Sequence, residues 1–392
     1  MKKNLLTGVR FSSNNRIKVY QSGPEFFQEL EARIVLARQE IHLQTYILKD
    51  DETGHKVIRA LQHAAERGVH VFMLLDAYGS RALPTETRQL LLMAGVHLRV
   101  YGRFFSFSGI HLGRRLHRKV VVIDGKTAFV GGMNISNHYN RINEKHAWLD
   151  FTVLVEGDAA ARLRSICKQS WRSFHFHRLG HTAPSWHLTS KTADSIHTSV
   201  GVLQNDFLGN KQAIANTYRQ CIRRAEQSIV LIGGYFLPGG AFRRALRAAV
   251  RRGVNIDVVL AAKSDVAVSA YAREYLQRWL IRNGIHIHEY LPANVHGKVL
   301  LIDDRFVTIG SYDLNNLSTY SNIELNLAID DERFAALMRE RIIHIIAHDC
   351  RPLTLQMHTL KSSYYRQLLR WLSYRIAKTF FGISHLLSSK DR

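Results

Sequence analysis

Two stretches, LHRKVVVIDGKTAFVGGMNIS at residues 116–136 and VHGKVLLIDDRFVTIGSYDLNNLS at residues 295–318, share one spacing. Each reads His-x-Lys-x4-Asp, then six residues, then Gly-Gly or Gly-Ser. The first holds His117, Lys119, Asp124, Gly131, Gly132 and Asn134; the second holds His296, Lys298, Asp303, Gly310, Ser311 and Asp313. Even with 21 histidines in 392 residues, two such triplets with matching glycines are not chance. Each histidine opens a strand-like run, Val120-Val121-Val122-Ile123 or Val299-Leu300-Leu301-Ile302. Residues two apart on a strand share a face, so His117 goes with Lys119 and His296 with Lys298. The two pairs, brought together, make a pocket of two imidazoles and two ammonium groups whose natural guest is a phosphodiester. One imidazole would attack phosphorus and form a phosphohistidine. The other would protonate the leaving alkoxide and then take the proton of the incoming hydroxyl. The lysines would stabilise the equatorial oxygens. No metal or cofactor is expected: there is no HExxH, no CxxC, and Cys167, Cys221 and Cys350 lie far apart.

The flanking sequence repeats as well. Ser22 and Glu25 predict a capping box, with Pro24 in the first turn of a helix that runs to about Arg38. Strand patterning follows at residues 41–47, a helix at 54–67, a buried strand at 69–75, a helix at 84–94 and a strand at 96–100. The order is α/β throughout. Arg252-Gly253-Val254 matches Arg67-Gly68-Val69, and Gly284 to Tyr290 matches Gly95 to Tyr101. The offset of 185 to 189 residues falls to 179 at the histidine motifs, so the first half carries about ten extra residues in the loop 102–115. The chain is therefore predicted to be an internal duplication of a whole α/β domain. A first domain at 1–177, a linker at 178–199, a second domain at 200–350 and a tail at 351–392 are expected.

Net charge is +22, from 54 basic and 32 acidic residues, which favours a polyanionic partner: nucleic acid or an anionic bilayer surface. The first 15 residues lack the apolar stretch of a signal peptide, and no run of 18 apolar residues predicts a transmembrane helix. The loop 102–115 places Phe104, Phe105 and Phe107 beside Arg103, Arg114 and Arg115, either as a rim that dips into lipid or as core filler. At helical spacing, Tyr365, Leu368, Leu369, Leu372, Ile376, Phe380 and Ile383 share a face, with Arg366, Arg370 and Lys378 opposite. That pattern predicts a basic amphipathic helix on a membrane surface.

The paired motifs resemble those of the phospholipase D superfamily over nearly the whole chain. The resemblance implies two duplicated α/β/α sandwich domains with the active site at their interface. Chain length, Tyr78-Gly79-Ser80 and the turn Tyr235-Phe236-Leu237-Pro238 are most similar to bacterial members that make cardiolipin. It further implies that His117 is the nucleophile and His296 the general acid, and that Asn134 and Ser311 bind substrate. Asp124 and Asp303 complete the catalytic triplets, mainly as structural support. Asp150 and Glu324 stand where a downstream acid orients each histidine. The implied location is the bacterial inner membrane, held peripherally. One departure stands out. The superfamily's second motif usually continues Gly-Ser-x-Asn with Asp two residues on, and here Asp313 and Asn315 are exchanged. A carboxylate facing a phosphate would repel it unless it turns away.

The expected reaction is transfer of a phosphatidyl group from phosphatidylglycerol, or from phosphatidylethanolamine, to the free hydroxyl of another phosphatidylglycerol. The alternative is hydrolysis of phospholipid or nucleic acid by the same pocket. Nucleic acid is not the expected partner, because a nuclease has no need of the tail. A binding protein with a decayed site is disfavoured by two intact triplets.

Overall fold

In the computed structural model, residues 6, 8–102, 105–106, 109–110, 115–143, 145–173, 198–206, 212–262 and 267–355 are described. Nearly all of the expected linker, most of the aromatic loop and the amphipathic tail lie outside them.

Each apolar motif run becomes a central strand, the first of a seven-stranded sheet and the second of a ten-stranded sheet whose seven-strand core repeats it. The first sheet comprises β1 (Asn15–Gln21), β2 (Glu40–Thr45), β3 (His70–Asp76), β4 (His97–Tyr101), β5 (Lys119–Ile123), β6 (Thr127–Gly131) and β7 (Phe151–Gly157), in the order β1-β7-β6-β5-β2-β3-β4. The core of the second comprises β8 (Ser199–Asn205), β9 (Ser228–Gly233), β10 (Asn255–Ala261), β11 (His286–Tyr290), β12 (Lys298–Ile302), β13 (Phe306–Gly310) and β14 (Asn322–Asp330), in the order β8-β14-β13-β12-β9-β10-β11. The two orders are identical. In each, β2-β3-β4 or β9-β10-β11 pair in parallel and the other neighbours are antiparallel.

Alternation along the motif strands sorts side chains between two layers. Val121 and Ile123 face outward, against Phe27, Leu30 and Ile34 of α1 (Pro24–Val35) and Val57 and Leu61 of α2 (Glu52–Glu66). Leu300 and Ile302 likewise meet Ile214 of α3 (Ala213–Arg224) and Leu246 of α4 (Gly240–Arg251). Val120 and Val122 face inward, into one core with Val299, Leu301, Val307 and Ile309 of the other sheet. Helices at Asp158–Ser173 and Glu332–Asp349 flank that shared core. Arg118, between His117 and Lys119, also points inward; it is fully buried and donates to Ser170 at 2.5 Å.

The halves are also joined by backbone. Arg115–Leu116, just before the first motif strand, pairs in parallel with Asn322–Ile323 of β14. Leu149, just before β7, bridges Val295 ahead of the second motif strand, and its carbonyl accepts from His296 N at 2.8 Å. These two contacts are the same contact, related by the duplication.

Three expectations are corrected. The strand Phe11–Ser12 pairs with Val200–Gly201, and Leu6 enters the second domain's core, so these residues belong with the second sheet and not with a 1–177 unit. The second sheet runs past 350, because Cys350–Pro352 pairs with β11. Ser22 does not cap α1: Gly23 holds that position at φ 144°, and the Ser22 hydroxyl donates to Trp148 O and accepts from Asp150 N at 3.0 Å. The serine braces the segment that carries Asp150. No described helix is long and apolar enough to cross a membrane.

Candidate active site

The two joining contacts bring both histidines to the seam between the halves. His117 Nδ1 lies 3.0 and 3.1 Å from the two carboxylate oxygens of Glu324, and His296 Nδ1 lies 2.6 Å from Asp150 Oδ2. Each histidine is therefore oriented by the acid of the other half. The family resemblance named both acids but not which histidine each one meets. The pairing of 115–116 with 322–323 decides it, by laying His117 alongside Glu324. With Nδ1 engaged, each Nε2 is left for chemistry.

Both lysines fold back on their histidines. Lys119 Nζ donates to His117 O at 2.6 Å, and Lys298 Nζ donates to His296 O. Lys119 and Lys298 are buried. Burial, aided by the charge of Lys298, pushes the Lys119 ammonium down to about 7. Burial and the positive charges of Lys298, Lys119 and His117 hold the His296 imidazole well below its ordinary value.

The acids differ. Burial pushes the Asp150 carboxyl up to about 7, although Lys298 and the Phe151 N–H pull against it. Burial also acts on Glu324, but the charge and hydrogen bond of His117, the charge of Lys119 and the Ser311 hydroxyl outweigh it. Glu324 is held below the usual carboxylate range. It accepts from Ser311 Oγ at 2.5 Å and from Asn322 Nδ2 at 3.0 Å. The duplicate of Ser311 is Gly132, where a Cβ would stand 2.3 Å from Asp150 Oδ1. The shorter aspartate lies against the strand and leaves no room for a side chain.

Several residues named from sequence take different places. Asp124 and Asp303 leave the catalytic set, because each stands at the far end of its five-residue strand, about 17 Å from the lysine. Asp124 accepts from the N–H groups of Arg38, Gln39 and Glu40 at 2.8–3.0 Å. Asp303 accepts from Glu226, Gln227 and Ser228 at 2.8–2.9 Å. Each pins the turn before its neighbouring strand. Ser311 donates its hydroxyl to Glu324 and so positions an acid. Asn134 is buried; its Oδ1 accepts from Ile47 N at 3.2 Å and its Nδ2 donates to the Tyr139 hydroxyl at 3.0 Å. Asp313 lies 3.6 Å from Lys298 Nζ and accepts weakly from Tyr235 N at 3.4 Å. Its charge is absorbed by Lys298.

The aromatic walls were not singled out in the sequence. The Tyr46 ring meets His117 edge-on at 5.0 Å, and Lys119 Nζ stands 5.3 Å from that ring. Tyr139 and Trp148 lie 5.5 and 6.3 Å from the His296 ring. Tyr46 ends the strand that duplicates the one before Tyr235, which was the available signal. Among the described residues no three His, Cys, Asp or Glu side chains converge as metal ligands.

A duplicated mixed sheet with a His–Lys pair from each half at the seam defines a member of the phospholipase D superfamily. The family model described as "Cardiolipin synthase, PLD-like domain" matches residues 30–171 and 218–346. Cardiolipin synthase B of Salmonella typhi is 32% identical over 345 residues, spanning 86% of this chain and 82% of that protein. Cardiolipin synthase B of Escherichia coli K12 is 31% identical over 350 residues, with the same coverage. The phosphatidylserine synthase of Haemophilus influenzae superposes with a TM-score of 0.72 over 97% of both chains at 14% identity, a likeness of fold alone. The chain belongs to the phospholipase D-like cardiolipin synthase family.

Proposed function

We propose that this enzyme is a cardiolipin synthase that transfers a phosphatidyl group from phosphatidylglycerol or phosphatidylethanolamine to phosphatidylglycerol. The observation that carries the reading is the crossed pair His117–Glu324 and His296–Asp150 with two buried lysines between the sheets.

The difference between the acids supports a division of labour. A firmly anionic Glu324 accepts the Nδ1 proton of His117 and makes its Nε2 the stronger nucleophile. His117 Nε2 attacks phosphorus and the headgroup oxygen leaves. Asp150 and His296 hold their protons as a unit and suit proton transfer. The cations that depress His296 are those a bound diester neutralises, so substrate binding favours the protonated imidazole that the leaving alkoxide needs. Lys119 and Lys298 face the equatorial oxygens, and Asn134 retains a second amide hydrogen for the same phosphate. The sequence of 364–392, with its apolar and basic faces, supports attachment to an anionic membrane surface.

Purified protein incubated with labelled phosphatidylglycerol, with and without phosphatidylethanolamine, tests the reaction. Cardiolipin is expected, and His117→Ala abolishes it. Release of phosphatidic acid alone would make the enzyme a hydrolase. Removal of residues 364–392 is expected to abolish binding to anionic vesicles; retained binding would refute the tail's role.

A further inference from the structure

Beside His117 the first half carries a second cationic feature that the chemistry above does not use. Tyr78 is 52% exposed, and two guanidinium groups lie over its ring, Arg81 at 4.8 Å and Arg115 at 5.0 Å from the centroid. Cation–π contact holds both planar cations in place without neutralising either. Neither arginine forms an ion pair among the described residues, so the stack has charge to offer an outside anion.

Its place relative to the pocket is fixed by one carboxylate. Asp76, fully buried, accepts from Tyr78 N at 2.9 Å and Gly79 N at 3.0 Å through one oxygen, and from Leu116 N at 2.9 Å through the other. The turn that carries Tyr78 and Arg81 is thereby tied to the residue between Arg115 and His117. Gly79 lets that turn press on Tyr46, where a Cβ would stand 2.2 Å from the carbonyl oxygen. Tyr46 in turn contacts His117. Arg115 precedes His117 by two residues of extended chain, about 7 Å. A glycerol bridge between two phosphorus atoms spans a similar length.

We propose that the Arg115–Tyr78–Arg81 stack binds the phosphodiester of the acceptor lipid; the inference rests on the transferase reading. The donor's phosphate occupies the two-histidine pocket. A phosphatidylglycerol anchored by its own phosphate at the stack places its terminal glycerol hydroxyl at the phosphohistidine. That oxygen then bonds to phosphorus, the P–N bond to His117 breaks with its electron pair returning to Nε2, and the hydroxyl proton passes to His296. Water has no phosphate for the stack to hold, so the stack determines whether lipid or water takes the phosphatidyl group.

The test is the ratio of cardiolipin to phosphatidic acid formed by full-length protein from labelled phosphatidylglycerol vesicles. Arg81→Gln, at an exposed position, and Arg81→Gln/Arg115→Gln are each compared with wild type after circular dichroism has shown the fold intact. The ratio is expected to fall about threefold in the single and at least tenfold in the double variant, with partial recovery in Arg81→Lys. An unchanged ratio in folded variants, whether or not total turnover drops, overturns the proposal. If wild type itself releases only phosphatidic acid, the transferase reading has failed instead, and the two failures are told apart by that control.

Discussion

His117 and Glu324 are 207 residues apart in the chain and 3.0 Å apart in the active site. The duplicate contact, His296 to Asp150, spans 146 residues at 2.6 Å. Neither motif histidine is paired with a carboxylate of its own half.

Glu324→Gln keeps the shape but removes the anion that holds the His117 tautomer. kcat is expected to fall on the order of 100-fold or more, with little change in KM. Asp150→Asn should also depress kcat but leave phosphohistidine formation measurable by acid-quench labelling. Equal loss of labelling in both variants would contradict the separate roles of the two acids.

Gly132→Ser asks whether the first half can accept the residue its duplicate uses. The new Cβ meets the Asp150 carboxylate at 2.3 Å, and the fully buried acid has nowhere to retreat. A loss of about 1–3 kcal/mol in unfolding free energy is expected, together with at least a 100-fold drop in activity. Ser311→Gly introduces no clash and removes the hydrogen bond donated to Glu324 and the one accepted from Leu325 N, so it should cost less stability.

Asp313→Asn removes a negative charge 3.6 Å from Lys298 while the amide oxygen can still accept from Tyr235 N. Affinity for a non-hydrolysable diester anion is expected to rise about threefold to tenfold, with kcat changed less than about fivefold. Weaker binding in calorimetry would show that the carboxylate holds Lys298 in its working position.

Proton uptake should accompany anion binding. Lys119 is pushed down to about 7 by burial, so it is charged below that pH and neutral above it. Asp150, pushed to about 7, gains negative charge over the same interval. Both changes oppose an anion as pH rises, so affinity for a phosphonate monoester, singly charged throughout, is expected to fall above pH 7. The slope should approach tenfold or more per pH unit. A flat affinity between about pH 6 and pH 9 would rule this out.

Much of this was legible in the sequence because the chain states it twice. His117 with Lys119, and His296 with Lys298, needed only strand periodicity and two copies, and the valine and leucine runs beside them located the central strands. The crossing of the acids was not legible. It depends on residues 115–116 pairing with residues 322–323, a long-range register that no local pattern records. Ser22 misled for a related reason: its capping motif is a local signal, overridden by a hydrogen bond to the backbone of Asp150, 128 residues away. Asp124 and Asp303 share the motif's spacing without its chemistry, since five residues of strand separate them from the pocket. The Tyr78 stack was invisible because Arg81 and Arg115 meet only after the chain has passed through a helix (Thr85–Met93), β4 and the short strand pair Phe105–Ser106 with Gly109–Ile110.

Gly132 with Asp150 and Ser311 with Glu324 have one further implication. In a dimer of identical subunits, a site on the twofold axis must contain the same residues on both sides, and nucleophile and proton carrier are then interchangeable. Joining the copies in one polypeptide breaks that constraint, so a change on one side need not be tolerated on the other. The glycine–aspartate and serine–glutamate combinations are each sterically self-consistent, and the serine of the second cannot stand beside the aspartate of the first. On the division of labour proposed above, directionality in the catalytic cycle follows from covalent linkage between the halves.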